Sequence, residues 1–293
     1  MRTMGITSHL EHRRTVLEMA GRSPAALLAW SAAVFLLATG LTPVQAQPHM
    51  PSFTGVWARD AHNYPKPYFS GRNVIADGYN NEYLQPWVVD LLMRDDLVTR
   101  SGRPAMNPHS NCYPESVPAV FGGAVMQILQ EPSAITMIFA DPGQWRTVYL
   151  NRPHSNPVVP SWYGESVGHF EGDTLVVDTV GIAVKPQSGS MGNYGTPHSE
   201  ALHLVERWRF LRDGEASTAP PARNDSFDAD AVIEGGRHLR LTFTLDDPIA
   251  FRKPWSVTLD YMPLNARPRE YVCMEAPSSY IIPFLPTAYI PDF

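Results

Sequence analysis

From residue 124 onward, short apolar runs alternate with clusters of Gly, Pro, Asp and Asn. The runs are rich in β-branched and aromatic residues, which is typical of strands joined by turns. No run with helical spacing alternates with them, and this disfavours a parallel α/β sheet. The pattern predicts an all-β, mostly antiparallel meander that closes as a barrel, because closure removes exposed edges. The predicted strands read AVMQILQ, AITMIFA, WRTVYLN, SVGHF, TLVVDTV, LRLTFTL, WSVTLDYM and REYVCM.

Residues 47–123 lack this alternation and are rich in Pro, Asn, Tyr and Gly. Only Tyr83–Leu97 has helical spacing, so we expect an irregular extension that carries one short helix. The barrel core is predicted at 124–275, and the proline-broken apolar residues 276–293 predict an extended C-terminal arm. Residues 47–293 are thus predicted to form a single domain. One side of the predicted helix carries Leu84, Trp87, Val88, Leu91 and Leu92.

The first 46 residues have the composition of a secretory signal peptide. Arg13, Arg14 and Arg22 precede the apolar run 25–38, and Val44-Gln45-Ala46 places small residues at the cleavage positions. The run is short for a membrane-spanning helix, although an uncleaved anchor is the alternative. We expect cleavage after Ala46 and a periplasmic or secreted protein that has no membrane segment once the signal is removed.

The charge balance narrows the classes of partner. The chain has 23 Lys and Arg against 29 Asp and Glu, which gives a formal net charge of −6. This balance argues against binding to nucleic acid and to anionic membrane surfaces. The sequence has no glycine-rich nucleotide loop and no CxxC or HExxH motif, so we expect neither a cofactor nor a metal.

The chain contains two cysteines, Cys112 and Cys273. In an oxidising exported setting, a pair this far apart in sequence predicts a disulfide. Two buried thiols are the alternative. A catalytic cysteine is not expected, because neither residue lies in a recognisable Cys-His context.

Two segments carry a resemblance to known proteins. Trp162–Gly181, WYGESVGHFEGDTLVVDTVG, and Pro197–Arg207, PHSEALHLVER, resemble the recurring core of a family of uncharacterised exported bacterial proteins. Arg152-Pro153-His154 precedes this core, and Tyr271-Val272-Cys273 follows it. Gly55-Val56-Trp57 also resembles the Gly-x-Trp that opens lipocalin-type barrels. The resemblance implies an exported, lipocalin-like β-barrel and carries no catalytic assignment.

Gly164-Glu165-Ser166-Val167-Gly168 matches the nucleophile elbow of serine hydrolases. That elbow places its serine on a sharp turn between a strand and a helix. Here the preceding residues are interrupted by prolines, and the following ones predict a hairpin. We therefore expect that Ser166 is not a nucleophile.

The hairpin itself predicts a catalytic pair. If Gly172-Asp173 forms a two-residue turn, as glycine in the first position favours, Val167 faces Asp178 and His169 faces Val176. His169 and Asp178 are then diagonal neighbours on one face, within reach of each other. If that face lines the barrel interior, Asp178 can orient His169 as an acid or base. A structural His–Asp hydrogen bond is the alternative.

The segment from His198 to Phe210 is ambiguous between helix and strand, and its all-β surroundings favour a strand. That assignment puts Glu200 and Glu206 on the apolar face, where a carboxylate needs a partner or has a raised pKa. His198 and Glu200 are candidate catalytic residues, and a salt bridge to a nearby arginine is the structural alternative. His198 and His203, five residues apart, cannot bind one metal ion from regular structure.

These observations favour an exported, cofactor-independent enzyme. A few buried His and carboxylate groups suit general acid–base chemistry, such as elimination, hydration or isomerisation of a small apolar molecule in the barrel cavity. A non-catalytic binding protein for hydrophobic ligands and a hydrolase are the alternatives. The candidate ligand-binding residues, chosen because tryptophans can line a cavity, are Trp145, Trp162, His154 and Trp208.

Overall fold

The computed structural model describes residues 50–60, 82–101, 113–122, 125–139, 144–185, 196–215 and 236–266. These residues contain nine β-strands, one α-helix and one 3-10 helix, and the nine strands form a closed barrel. The predicted all-β barrel is therefore confirmed. The strands are β1 (Gly55–Arg59), β2 (Val125–Gln130), β3 (Ala134–Phe139), β4 (Gln144–Leu150), β5 (Glu165–Glu171), β6 (Thr174–Val180), β7 (His203–Phe210), β8 (Leu239–Asp246) and β9 (Trp255–Leu264).

Sequential strands pair with each other around the barrel, and β1 closes it by pairing with β9. Every pair is antiparallel except β4 with β5, which is parallel. A parallel pair needs a connection that runs from the end of the first strand back to the end of the sheet where that strand began. Residues 151–164 provide that connection, and we call them the crossover segment. Backbone hydrogen bonds from Asn151 N to Gly168 O (2.8 Å) and from Ser161 N to Gly181 O (3.0 Å) tie it to the sheet.

Aromatic side chains of the protein pack together inside the barrel. Phe121, from the 3-10 helix Ala119–Gly122, lies inside the barrel although it belongs to no strand. Its ring centroid is 5.7 Å from those of Trp208 and Phe243, and its carbonyl accepts a hydrogen bond of 3.0 Å from the Tyr261 hydroxyl. This part of the interior is a packed core.

Two further elements cover opposite ends of the barrel. Phe53, before β1, packs where β5 and β7 end, with ring centroids 6.0 Å from Phe170 and 5.2 Å from Phe210. At the other end, the helix α1 (Pro86–Arg100) buries Val88 and Leu92 in the core. Both ends are thus capped by residues that precede β2.

Three predictions for the N-terminal third need correction. The helix begins at Pro86 and not at Tyr83. The N–H of the first helical residue has no partner within the helix, so proline, which has no N–H, is favoured at that position. Trp87 and Leu91, expected on its apolar side, are 42% and 36% exposed, whereas Val88 and Leu92 are buried. Strand β1 lies in the part of the chain that the sequence predicts to be irregular.

Several predictions fall outside the described residues. These include the signal peptide, Cys112, Cys273 with its predicted strand, and the C-terminal arm. Among the helical residues that are described, no helix is long and apolar enough to cross a membrane.

Candidate functional site

The β5–β6 hairpin has the register that the sequence predicts. Glu171 pairs with Thr174, and Val167 pairs with Asp178. Gly172, with φ of 63°, occupies the first position of the two-residue turn, where glycine adopts this angle without a Cβ clash. His169 and Asp178 therefore share one face, as expected.

That shared face is the outer one, and the predicted His169–Asp178 contact is wrong. The inward positions of β6 are Leu175, Val177 and Thr179, which are buried. His169 is exposed, and its Nε2 lies 3.3 Å from Glu171 Oε1. His154 and His203 bond the two carboxylate oxygens of Asp178 instead, so His169 does not contact Asp178.

Asp178 joins two histidines that lie far from it in the chain. His154 Nε2, from the crossover segment, is 2.8 Å from Asp178 Oδ1. His203 Nε2, from the first residue of β7, is 2.7 Å from Asp178 Oδ2. We call His154, Asp178 and His203 the His–Asp–His cluster. It lies on the outer face of the barrel, where His203 is 42% and Asp178 40% exposed.

The surroundings of Asp178 keep it ionised. Its cross-strand neighbours are Val167 and Val205, so the carboxylate is half-buried between apolar side chains. This burial acts to raise its pKa, but the hydrogen bonds and charges of His203 and His154 outweigh burial, and the pKa falls below its ordinary value of 3.8. An ionised carboxylate only accepts hydrogen bonds, so each Nε2 carries the hydrogen.

The second ring nitrogens of the two histidines differ in their surroundings. His154 Nδ1 is buried and has no hydrogen-bond partner among the residues described above, and Glu165 Oε1 lies 3.9 Å away from it. His203 Nδ1 has no hydrogen-bond partner within the described ranges, and its ring is partly exposed. The cluster therefore presents the His203 imidazole on the accessible surface, with its Nε2 orientated by Asp178.

A second polar group lies inside the barrel. Arg146, on β4, donates from Nη1 to Glu206 Oε1 at 2.8 Å and from Nη2 to Ser166 Oγ at 2.8 Å. The Arg146 and Glu206 side chains are 1% and 0% exposed. Trp208 Nε1 donates to the other Glu206 oxygen at 2.9 Å. The position of Glu206 on the apolar face agrees with the strand interpretation, and its partner is Arg146.

Ser166 lies within this buried group, as the second residue of strand β5 of the hairpin. Its hydroxyl bonds Arg146 and also Thr179 Oγ1, at 2.9 Å. The two glycines of the elbow-like match have structural roles. Gly164 has φ of 64°, and a Cβ there would lie 2.5 Å from the Val180 carbonyl oxygen. A Cβ at Gly168 would lie 3.0 Å from a Val148 methyl group, so close packing accounts for both glycines.

The other predicted catalytic residues lie apart from the cluster. His198 is 3% exposed, and its Nδ1 lies 3.0 Å from the Ser199 carbonyl oxygen. Its Nε2 has no hydrogen-bond partner in the part of the chain that the structure describes. Burial lowers its pKa below the ordinary value of 6.5, against the opposing Ser199 hydrogen bond. Glu200 is exposed in the turn before β7, so its predicted place on the apolar face is wrong. The reason is that the strand begins only at His203.

The predicted ligand-binding residues are dispersed. Trp145 is 68% exposed on the outer face of β4, whereas Trp208 is fully buried in the core. Trp162 is half-buried and stacks on Tyr113 with ring centroids 6.0 Å apart. Only His154 belongs to the His–Asp–His cluster. The tryptophans therefore do not line one common space.

Sequence reasoning missed Arg146 in the interior group, His203 as a partner of Asp178, and Glu165 beside His154. The motif Arg152-Pro153-His154 could have indicated a site residue, because it lies in the segment that crosses the outer face. Its position opposite Asp178 follows from the parallel β4–β5 pairing.

No group of three or more His, Cys, Asp or Glu side chains in the described ranges is arranged to hold a metal ion. No family model matches the chain, and no curated protein or solved structure shows significant similarity to it.

Proposed function

We propose that the protein is an exported enzyme that transfers protons by general acid–base catalysis at the His–Asp–His cluster. The observation that carries the proposal is that one carboxylate holds both Nε2 atoms, while the His203 side chain is partly exposed and its Nδ1 has no partner among the described residues. The reaction class is elimination, hydration or isomerisation of a small molecule.

His203 is the base in this proposal. Its Nε2–H donates to Asp178, which leaves the lone pair on Nδ1 to take a proton from the substrate. The imidazolium that forms lies against the Asp178 carboxylate, which stabilises it and fixes its orientation. His154 holds the second Asp178 oxygen and so keeps the carboxylate aligned with His203.

The site of this chemistry is the outer surface and not the barrel interior. Phe121 and Trp208 pack within the interior, and Arg146 there is already paired with Glu206. On the outer face, Val167 and Val205 flank Asp178 and limit its contact with water. A less polar environment strengthens the hydrogen bonds of an ionised carboxylate.

A generic proton-abstraction substrate, 5-nitrobenzisoxazole, tests the proposal without knowledge of the natural substrate. A base removes its C–H proton, the ring N–O bond breaks, and the electron pair leaves on the phenolate oxygen, which is detected by absorbance. We expect His203→Gln and Asp178→Asn to lower the rate about 10²-fold. His169→Gln is the matched control, because His169 is an exposed histidine near a carboxylate on the same face.

The control should react at the wild-type rate. Equal rates in wild type and His203→Gln, with both proteins folded by circular dichroism, would refute the proposal. So would an equal loss in His169→Gln, since any exposed imidazole would then account for the reaction.

A further inference from the structure

Glu165, the first residue of β5, is almost enclosed on the outer face of the barrel, with a side chain that is 12% exposed. Its Oε1 atom accepts hydrogen bonds from Ser155 N at 2.9 Å and from Ser155 Oγ at 3.2 Å. Arg152 Nη2 approaches the same oxygen at 3.3 Å. One carboxylate oxygen therefore holds two residues of the crossover segment.

His154 lies between these two residues in the chain. Ser155 is held through its backbone N–H and Arg152 through its guanidinium, so Glu165 fixes the backbone directly after His154 and also contacts a side chain two residues before it. The imidazole then lies between two carboxylates. Its Nε2 is 2.8 Å from Asp178, and its Nδ1 is 3.9 Å from Glu165.

The hydrogen bonds also keep Glu165 charged. The Ser155 backbone N–H lowers the pKa of Glu165 below its ordinary value of 4.5, and Ser155 Oγ, Arg152 and His154 add to this effect against burial. An ionised carboxylate is a stronger acceptor than a neutral amide or acid. The strength of the hydrogen bonds from Ser155 and Arg152 to Glu165 therefore depends on the charge of Glu165 as well as on its shape.

We infer that Glu165 is a positioning residue of the acid–base site: it fixes the crossover segment so that His154 Nε2 is directed at Asp178. Its effect on catalysis rests on the function proposed above. Its effect on His154 does not, because the hydrogen bond between His154 and Asp178 can be observed without a substrate.

The test compares Glu165→Gln with Glu171→Gln. Glu171 is the matched control, because it is an outward carboxylate on the same strand with an arginine partner, Arg207, at 2.6 Å. Nuclear magnetic resonance of the histidine side chains reports the Nε2–H proton of His154, which is visible only when a hydrogen bond slows its exchange with water. The rate of 5-nitrobenzisoxazole elimination is measured on the same samples.

We expect Glu165→Gln to increase the exchange rate of the His154 Nε2–H at least tenfold, and Glu171→Gln to leave it unchanged. A protected His154 Nε2–H in folded Glu165→Gln overturns the inference, whatever happens to the rate. Faster exchange without any fall in the elimination rate supports the positioning of His154 but counts against the proposed function. If Glu165→Gln does not fold, Ser155→Ala, which removes only the 3.2 Å contact, gives a milder form of the same test.

Discussion

His203 Nε2 lies 2.7 Å from Asp178 Oδ2, although the two residues are not direct cross-strand partners. The register places Val205 opposite Asp178, and His203 precedes Val205 by two positions on the same face of β7. Diagonal pairs of this kind have Cβ atoms about 7–8 Å apart, a gap that a histidine and a carboxylate can bridge. Strand register therefore sets the contact between His203 and Asp178. The crossover segment, which lies over the outer face of the sheet, brings His154 to the other Asp178 oxygen.

The buried Arg146–Glu206 pair should dominate the effect of single substitutions on stability. Glu206→Gln leaves an unpaired guanidinium in the interior, and we expect the free energy of unfolding to fall by about 3–5 kcal/mol. Urea denaturation at neutral pH measures this. The exposed pair of Glu171 and Arg207 is the control, and Glu171→Gln should unfold close to the wild-type midpoint. Wild-type stability in Glu206→Gln would show that the interior pair is not formed.

Buried His198 should make stability depend on pH. Its pKa is lowered in the folded protein, so the unfolded chain binds a proton first as the pH falls. The stabilisation is complete above the ordinary pKa of 6.5 and decreases as the pH falls from there toward the folded-state pKa. The slope contributed is at most about 1.4 kcal/mol per pH unit.

The measurement is the free energy of unfolding of wild type and His198→Gln between pH 8 and pH 5. The difference between the two proteins should shrink as the pH falls, because the variant lacks the titrating group. His169→Gln is measured for comparison, because it removes a histidine that is exposed. A constant difference between wild type and His198→Gln would mean that His198 is not buried in its neutral form.

Two glycines with the same backbone angle should differ in their tolerance of alanine. Gly172 has φ of 63°, and a Cβ added there would have no atom within 4 Å, so Gly172→Ala should cost only the backbone strain, about 1–2 kcal/mol. Gly164 has φ of 64°, but a Cβ would lie 2.5 Å from the Val180 carbonyl oxygen. Gly164→Ala should therefore cost about 1–3 kcal/mol more than Gly172→Ala. Thermal unfolding of both variants checks this, and equal losses would contradict the packing around Gly164.

The hairpin was predictable because its signals are local. Alternating residues from Glu165 to Val180 and the Gly172-Asp173 turn determine both the strands and their register. The buried place of Glu206 followed in the same way from alternation along β7.

The composition of the site was not predictable, because it depends on contacts between distant segments. The crossover segment, with prolines at 153, 157 and 160, has no periodicity that reveals which face of the sheet it crosses. Without the parallel β4–β5 pairing, nothing in the sequence places His154 on Asp178 or Arg146 on Glu206. Proximity along the hairpin favours His169 as the partner of Asp178, but the tertiary structure brings His154 and His203 to it.

In the proposed mechanism His203 and Asp178 act together as one base, and a double variant distinguishes this from independent action. Rates of 5-nitrobenzisoxazole elimination are compared for His203→Gln, Asp178→Asn and the protein with both changes. If the residues act as a unit, each single change lowers the rate about 10²-fold and the double variant is no slower than the slower single variant. Losses that multiply to about 10⁴-fold, or a rate unchanged by all three, would contradict the account.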